Sequence, residues 1–215
     1  MKFAKLLRKG VVLVCLAWMP LTPLTAMAVE VPNTSELKEQ CEKALTNLAS
    51  YKSSEFGFSI KYPQNWEKAE GQPPLICRFL TDNGLVSYRV SAEKLSVPMT
   101  VEEYAKNVNQ ELEKQYPVKG SPLTRVEESA CKIGSLDAHK SIYILKLDAE
   151  GSSAKMLQYL VVANQIAYAF NYTAIEGAYD AFMPLIDEAV KSLEFQPVTA
   201  GGADQSKSNH SSESK

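Results

Sequence analysis

Histidine is almost missing from this 215-residue chain, which has 2, His139 and His210. With so few imidazoles, acid–base catalysis and zinc binding lose their commonest side chain. The patterns that carry enzyme chemistry are missing as well. There is no GxSxG elbow, no HExxH, no CxxC, and no GxGxxG or P-loop to hold phosphate on backbone amides. A nucleophilic cysteine needs a base beside it, and His139 alone is available to Cys41, Cys77 or Cys131. No catalytic residue, no cofactor and no enzymatic activity are therefore expected. Surplus positive charge is missing too: 23 Lys and Arg against 25 Asp and Glu leave a formal net charge of −2. That is not the basic footprint of a nucleic-acid binder. Acidic residues do not fall at calcium-loop spacing. Asp148 and Glu150 share one turn, and Glu127 and Glu128 are expected to point to opposite faces of a strand.

What is there is ordinary globular material. Apolar residues make up 45% and charged residues 22%, with 10 Gly and 11 Pro, which excludes wholesale disorder and a multi-span membrane protein. The length fits one domain, at most two.

Residues 1–28 read as an export signal. Lys2, Lys5, Arg8 and Lys9 precede an apolar run from Val11 to Trp18, and Ala26-Met27-Ala28 is a small-x-small cleavage site before Val29. The run is shorter than a span of about 20 residues needs, and Pro20 and Pro23 interrupt the stretch after it. Cys15 sits inside the apolar core after Leu13-Val14, which does not match a lipoprotein signal. Removing the signal lowers Lys+Arg from 23 to 19 against 25 acidic residues, a charge of about −6. That argues against charge-driven attachment to an acidic membrane. Cys41, Cys77 and Cys131 remain. Either all three are reduced and packed, or Cys77 and Cys131, both in strand-like runs, form a disulfide in the oxidising space outside the cell.

Apolar residues at 37, 41, 44, 45 and 48 predict a helix over Ser35–Ala49, with Ser35 at its start. Phe56, Phe58, Ile60 and Tyr62 then alternate with small or polar residues, predicting a strand that Pro63 ends. Leu75, Cys77 and Phe79 form a second strand. Asp82-Asn83-Gly84 is a hairpin turn, and Val86, Tyr88 and Val90 return from it. Thr100-Val101-Glu102-Glu103 is a capping box that opens a helix ending near Tyr116-Pro117, and Gly120-Ser121-Pro122 breaks the chain. Strands are expected over 123–133, 138–147, 154–163 and 166–173, joined by short polar turns as an antiparallel meander. A last helix spans roughly 179–193, with Pro184 expected within its first turn or two. Residues 198–215 lack periodicity and are expected to be a disordered tail.

The fold class is thus α+β: an antiparallel sheet of about six to seven strands, with helices covering one face and leaving the other partly open. The most distinctive stretch is Ile166–Thr173, where Tyr168, Phe170 and Tyr172 share one face and Ala167 and Ala169 the other. The aromatics either form the core or line a groove for a ligand or partner. Glycosylation triplets at Asn33, Asn171 and Asn209 are read as chance matches, Asn171 because it lies in mid-strand.

The segment Phe56-Gly-Phe-Ser-Ile-Lys-Tyr-Pro-Gln-Asn-Trp66 resembles the opening strand of the PsbP-like superfamily, aromatic-x-I-x-Y-P-x-x-W. Ala167–Thr173, a helix, and Lys191-Ser-Leu-Glu-Phe195 are similar to that family's end. The resemblance covers about residues 53–197 and implies an antiparallel sheet with helices packed around it. The family includes the extrinsic photosystem II subunit and its assembly relatives, bacterial DcrB-type envelope proteins, and a Ran-binding nuclear protein; what they share is docking on another protein. This chain has a plain export signal and no basic N-terminal segment for photosystem docking, so no photosystem, manganese or calcium role passes to any of its residues.

The expectation is a non-catalytic exported accessory or binding module of the cell envelope, periplasmic or extracellular, docking on an envelope or membrane-associated protein partner, with no nucleic acid and no membrane span after signal cleavage. The alternatives are an extrinsic lumenal photosystem II subunit and a small-ligand or cation-binding periplasmic protein. The expected divisions are a signal (1–28), a lead-in with a helix (29–52), the PsbP-like domain (53–197) and the tail (198–215).

Overall fold

The computed structural model describes residues 33–81, 83–115, 122–147 and 151–198. The expected export signal with Cys15, nearly all of the expected tail with His210 and Asn209, the expected Asp148–Glu150 turn, Asp82 and residues 116–121 lie outside the described residues.

Helix α1 (Thr34–Leu45) starts one residue earlier than the spacing predicts. Asn33, not Ser35, caps it: the Asn33 Oδ1 accepts from the Ser35 and Glu36 amides, each at 3.0 Å. The helix also ends earlier, and Leu48, expected on its stripe, opens strand β1 (Leu48–Ser53). β1 pairs antiparallel with β2 (Phe58–Pro63), so residues expected as a lead-in pack as part of the domain. After β2 come β3 (Glu67–Glu70), β4 (Leu75–Leu80) and β5 (Val86–Lys94). The β4–β5 turn uses Asn83-Gly84, with Gly84 at φ 69° and the Asn83 side chain accepting from the Leu85 amide.

Helix α2 (Val101–Gln115) opens on the expected capping box. The Glu103 amide donates to Thr100 Oγ1 at 3.2 Å, and the Thr100 amide donates to Glu103 Oε2 at 2.9 Å. The meander comes next: β6 (Leu123–Ile133), β7 (Leu136–Lys146), β8 (Ser153–Ala163) and β9 (Ile166–Ile175). Helix α3 (Glu176–Lys191) and the short β10 (Glu194–Phe195) close the chain. Pro184 lies in the middle of α3 rather than near its start. It is tolerated because Pro184 and Asp180, one turn back, are both exposed, so water can satisfy the Asp180 carbonyl that loses its amide partner.

Two sheets result, a three-stranded one in the order β1-β2-β10 and a seven-stranded antiparallel one in the order β3-β4-β5-β9-β8-β7-β6. The small sheet, α1 and α3 pack on one side of the large sheet, where Phe58, Ile60, Phe79, Tyr88, Leu157, Tyr168, Phe170, Tyr172, Phe182 and Ile186 form the main core. Helix α2 packs on the opposite side, where Val101, Tyr104, Ala105, Val108 and Leu112 meet Tyr143, Met156, Leu160, Ala167 and Ala169. The helices thus cover both faces, not one. The small Ala167 and Ala169, both at 0% exposure, complete this second cluster from β9, while α2 itself packs chiefly over β7 and β8.

Candidate functional site

The aromatic strand does not line a groove. Tyr168, Phe170 and Tyr172 are buried beneath the small sheet and α3 and belong to the main core. Their period-two spacing matches the side of the sheet that the thicker layer covers, and apolar burial of this size outweighs any exposed role. Buried hydroxyls need partners, and the tyrosines use them to join layers. Tyr88 donates to the Lys61 carbonyl at 2.8 Å, Tyr168 to that of Phe56 at 2.5 Å, and Tyr172 to that of Tyr179 at 2.9 Å. Burial pushes the Tyr168 hydroxyl up to about 12, so it stays a donor at any physiological pH.

Among the described residues, Cys41, Cys77 and Cys131 are free thiols. Cys77 lies on β4 and Cys131 on β6, five strand spacings apart in the large sheet. At about 4.8 Å per strand that is roughly 24 Å, far beyond the ~7 Å a disulfide can bridge. The structure does not bring them together. Burial pushes the Cys77 thiol up to about 12 and raises Cys41 and Cys131 as well. That is the reverse of what a nucleophile needs. His139 cannot serve Cys131: it stands opposite Ala130 while Cys131 stands opposite Ala138, which places the two side chains on opposite faces.

His139 instead joins a cluster around Glu128 on the α2 side. Its Nε2 lies 2.9 Å from Glu128 Oε1, Asn109 of α2 donates to the same oxygen at 2.9 Å, and Arg125 lies 3.2 Å from Oε2. Glu127 points to the other face and pairs with Lys140 at 2.7 Å. The two carboxylates diverge as the strand pattern predicts, and no metal-binding group of His, Cys, Asp or Glu occurs among the described residues.

A second carboxylate beneath α2 is Glu93, which accepts from the Tyr104 hydroxyl at 2.6 Å. Burial raises its pKa, and the Tyr104 bond pulls it partly back. A carboxyl raised in the folded state binds more protons there than in the unfolded chain. Stability therefore falls as pH rises from the ordinary glutamate range through the raised Glu93 value. Urea midpoints measured across that window should decline with pH in the unmutated chain and lose that part of the slope in Glu93→Gln. An identical slope in both would assign the dependence to other groups.

The register reveals one arrangement that no sequence motif announces. On the α2 side, Arg78 stands opposite Arg89, Arg89 opposite Asn171, Asn171 opposite Gln158, Gln158 opposite Ser141, and Ser141 opposite Glu128. Six strands thus contribute one continuous polar row across this face of the sheet. Asn171, Gln158 and Ser141 are each 1% exposed. The Gln158 Nε2 donates to Asn171 Oδ1 at 2.9 Å. Among the described residues, Arg78 Nε, Asn171 Nδ2, Gln158 Oε1 and Ser141 Oγ are buried without a hydrogen-bond partner. The signal in the sequence is faint: an amide in the middle of each of two strongly apolar strands, β8 and β9.

The chain matches no family model and no curated protein. Solved structures do resemble it. The solution structure of PsbP from the cyanobacterium Synechocystis sp. PCC 6803 covers 70% of this chain and 93% of its own, at 14% identity and TM-score 0.57. LpqN of Mycobacterium tuberculosis, described as involved in cell envelope biogenesis, covers 72% and 95% at 14% identity and TM-score 0.53. The Saccharomyces cerevisiae Ran-binding protein Mog1p covers 71% and 97% at 10% identity and TM-score 0.50. At these identities the likeness is one of fold: a seven-stranded antiparallel sheet beside a three-stranded one, with three helices, is in this chain the PsbP-like fold.

Proposed function

We propose that this chain is a non-catalytic accessory module, exported to the cell envelope through residues 1–28, that docks on a protein partner. The observation that carries this reading is the surface of β6. The two helical layers fill both faces of the sheet's centre, but β6 extends beyond them, and Thr124 through Ala130 are exposed one after another on both faces. Val126, at the irregularity between Arg125 and Glu127, is 52% exposed. An eleven-residue strand held through β7 and open on both sides presents a rigid surface, with charged residues around an apolar centre, of the kind that protein interfaces use. The folds it resembles include an envelope-biogenesis protein and a Ran-binding protein, which fits a docking module. Three thiols raised by burial and a histidine tied to Glu128 support a role without catalysis. Among the described residues no helix is long and apolar enough to cross a membrane.

The test is in-cell crosslinking of the tagged full chain in its native host, with partners identified by mass spectrometry. One reproducible envelope protein is expected. Its recovery should fall by about tenfold or more in Val126→Arg, the loss of one central contact. Recovery equal in the variant would move the docking surface elsewhere. No partner above background, or a hydrolytic activity abolished by Cys131→Ser or His139→Ala, would overturn the reading.

A further inference from the structure

We infer that Asn83 is a site of spontaneous covalent modification, deamidation through attack by the Gly84 amide nitrogen, and that the folded β4–β5 turn holds this reaction back. Asn83 is the one asparagine in the chain that a glycine follows. Glycine has no side chain to shield its amide nitrogen, and its backbone rotates most freely, so an unfolded Asn-Gly pair reaches the reactive geometry readily. In the reaction the Gly84 nitrogen gives its proton to water and bonds to Asn83 Cγ. The bond from Cγ to the side-chain nitrogen breaks, and ammonia leaves with a proton from water. A five-membered imide remains. Water then adds to one of its two carbonyls and opens the ring. The product is a carboxylate at position 83, as aspartate or as isoaspartate, with nothing oxidised or reduced. Asn83 and Gly84 are both exposed, and a Cβ built on Gly84 would meet nothing within 4 Å, so water has free access.

The turn engages both reacting groups, and Thr81 is the residue that ties them. Its carbonyl accepts from the Gly84 amide at 2.8 Å. Its hydroxyl donates to Asn83 Oδ1 at 2.7 Å, and the Leu85 amide donates to the same oxygen at 3.1 Å. The Thr81 hydroxyl is itself anchored, because it accepts from the Val86 amide at 3.2 Å. Imide formation needs the Gly84 nitrogen released from Thr81 and the Asn83 side chain turned away from Leu85 at the same moment. The rate in the folded chain is then the rate in the unfolded chain multiplied by the fraction of time that the turn is open. The two products differ in consequence. Aspartate keeps a side-chain acceptor in place, and its charge strengthens the bonds from Thr81 and Leu85. Isoaspartate routes the main chain through Cγ and lengthens it, which the pairing of Leu80 with Ser87 across this short turn cannot absorb. The modification thus records time spent with the hairpin open. It lies away from the β6 surface and does not depend on the docking reading.

The full chain is incubated at neutral pH in buffer and in urea beyond its unfolding midpoint. Conversion at each asparagine is followed by peptide mass spectrometry, and isoaspartate by enzymatic methylation. Asn164, also exposed in a turn but followed by Gln165, is the internal reference and should remain an amide over the same period. Asn83 should convert at least about tenfold faster in urea than in buffer, the effect of losing more than one hydrogen bond. That comparison needs no variant to fold. In buffer, a folded Thr81→Val protein should convert roughly three- to tenfold faster than the unmutated chain, the loss of one hydrogen bond, while the two convert equally in urea. No conversion at Asn83 in urea, conversion no faster than at Asn164, equal rates in buffer and urea, or an unchanged rate in folded Thr81→Val would overturn the inference.

Discussion

Replacing Tyr88 by alanine is expected to lower the free energy of unfolding by about 3–5 kcal/mol. Against a typical total of about 5–15 kcal/mol, that takes away much of the domain's stability. Tyr88 has 0% exposure and sits where three layers meet. Its ring lies 4.9 Å from Phe79, 5.4 Å from Phe170 and 5.7 Å from Trp66, so truncation leaves a cavity that neighbours on three elements cannot all move to fill. Tyr88→Phe separates the ring from the hydroxyl. It keeps the packing but leaves the Lys61 carbonyl without its 2.8 Å bond, and should cost only about 0.5–1.5 kcal/mol. Urea unfolding of the two variants beside the unmutated chain decides the matter. Equal losses in both would mean that the hydrogen bond, not the ring, holds the small sheet on the large one.

Gly57→Ala is the second substitution with a large expected effect. Gly57 has φ 58°, and a Cβ there would stand 2.3 Å from the Gln196 carbonyl oxygen. The backbone conformation alone costs a non-glycine residue about 1–2 kcal/mol. The clash falls on backbone rather than on a side chain that can swing away. It would prise apart the contact in which the Gln196 amide donates to the Gly57 carbonyl at 2.7 Å, and with it the pairing of β10 with β2. A loss above about 2 kcal/mol is expected, along with faster proteolysis after Leu193, because Phe195 would no longer be held 4.7 Å from the Tyr168 ring. A melting temperature within about 1 °C of the unmutated chain would show that the C-terminal segment is dispensable.

Much of this fold was legible in the residues, and the reasons differ from element to element. The Thr100–Glu103 box, the Asn83-Gly84 turn and the four meander strands are local signals, and each formed where expected. Strands β1 and β3 were not legible. Leu48–Ser53 continues a helical stripe, and Glu67–Glu70 reads EKAE with no apolar alternation. Both are strands because β2 and β4 offer them a ladder, a tertiary cause that overrides weak propensity. The apolar stripe of α2 was visible, but nothing in it says which face of the sheet it will cover. The polar row was illegible for a stricter reason. Its members lie as far apart as Arg78 and Asn171, and they become neighbours only once five registers are fixed, each of which a one-residue slip would reverse. Reading the aromatic strand as a possible groove failed because period two shows that a face is apolar, not whether protein or a visitor covers it.

The two margins of the large sheet have a consequence for life in a crowded compartment. At one margin β3 is only four residues long, three of them charged; at the other, β6 is irregular at Val126 and carries Arg125, Glu127, Glu128 and Lys132. Neither offers the long, flat, uncharged row of free amides and carbonyls on which a stray chain can template itself. Neighbouring copies are thereby kept from zipping together into fibrils, even though the interior strands, such as the ten-residue β9, have the composition that aggregates most readily when exposed. A partner docking as proposed would accordingly come to a face, because the borders are built to refuse another strand.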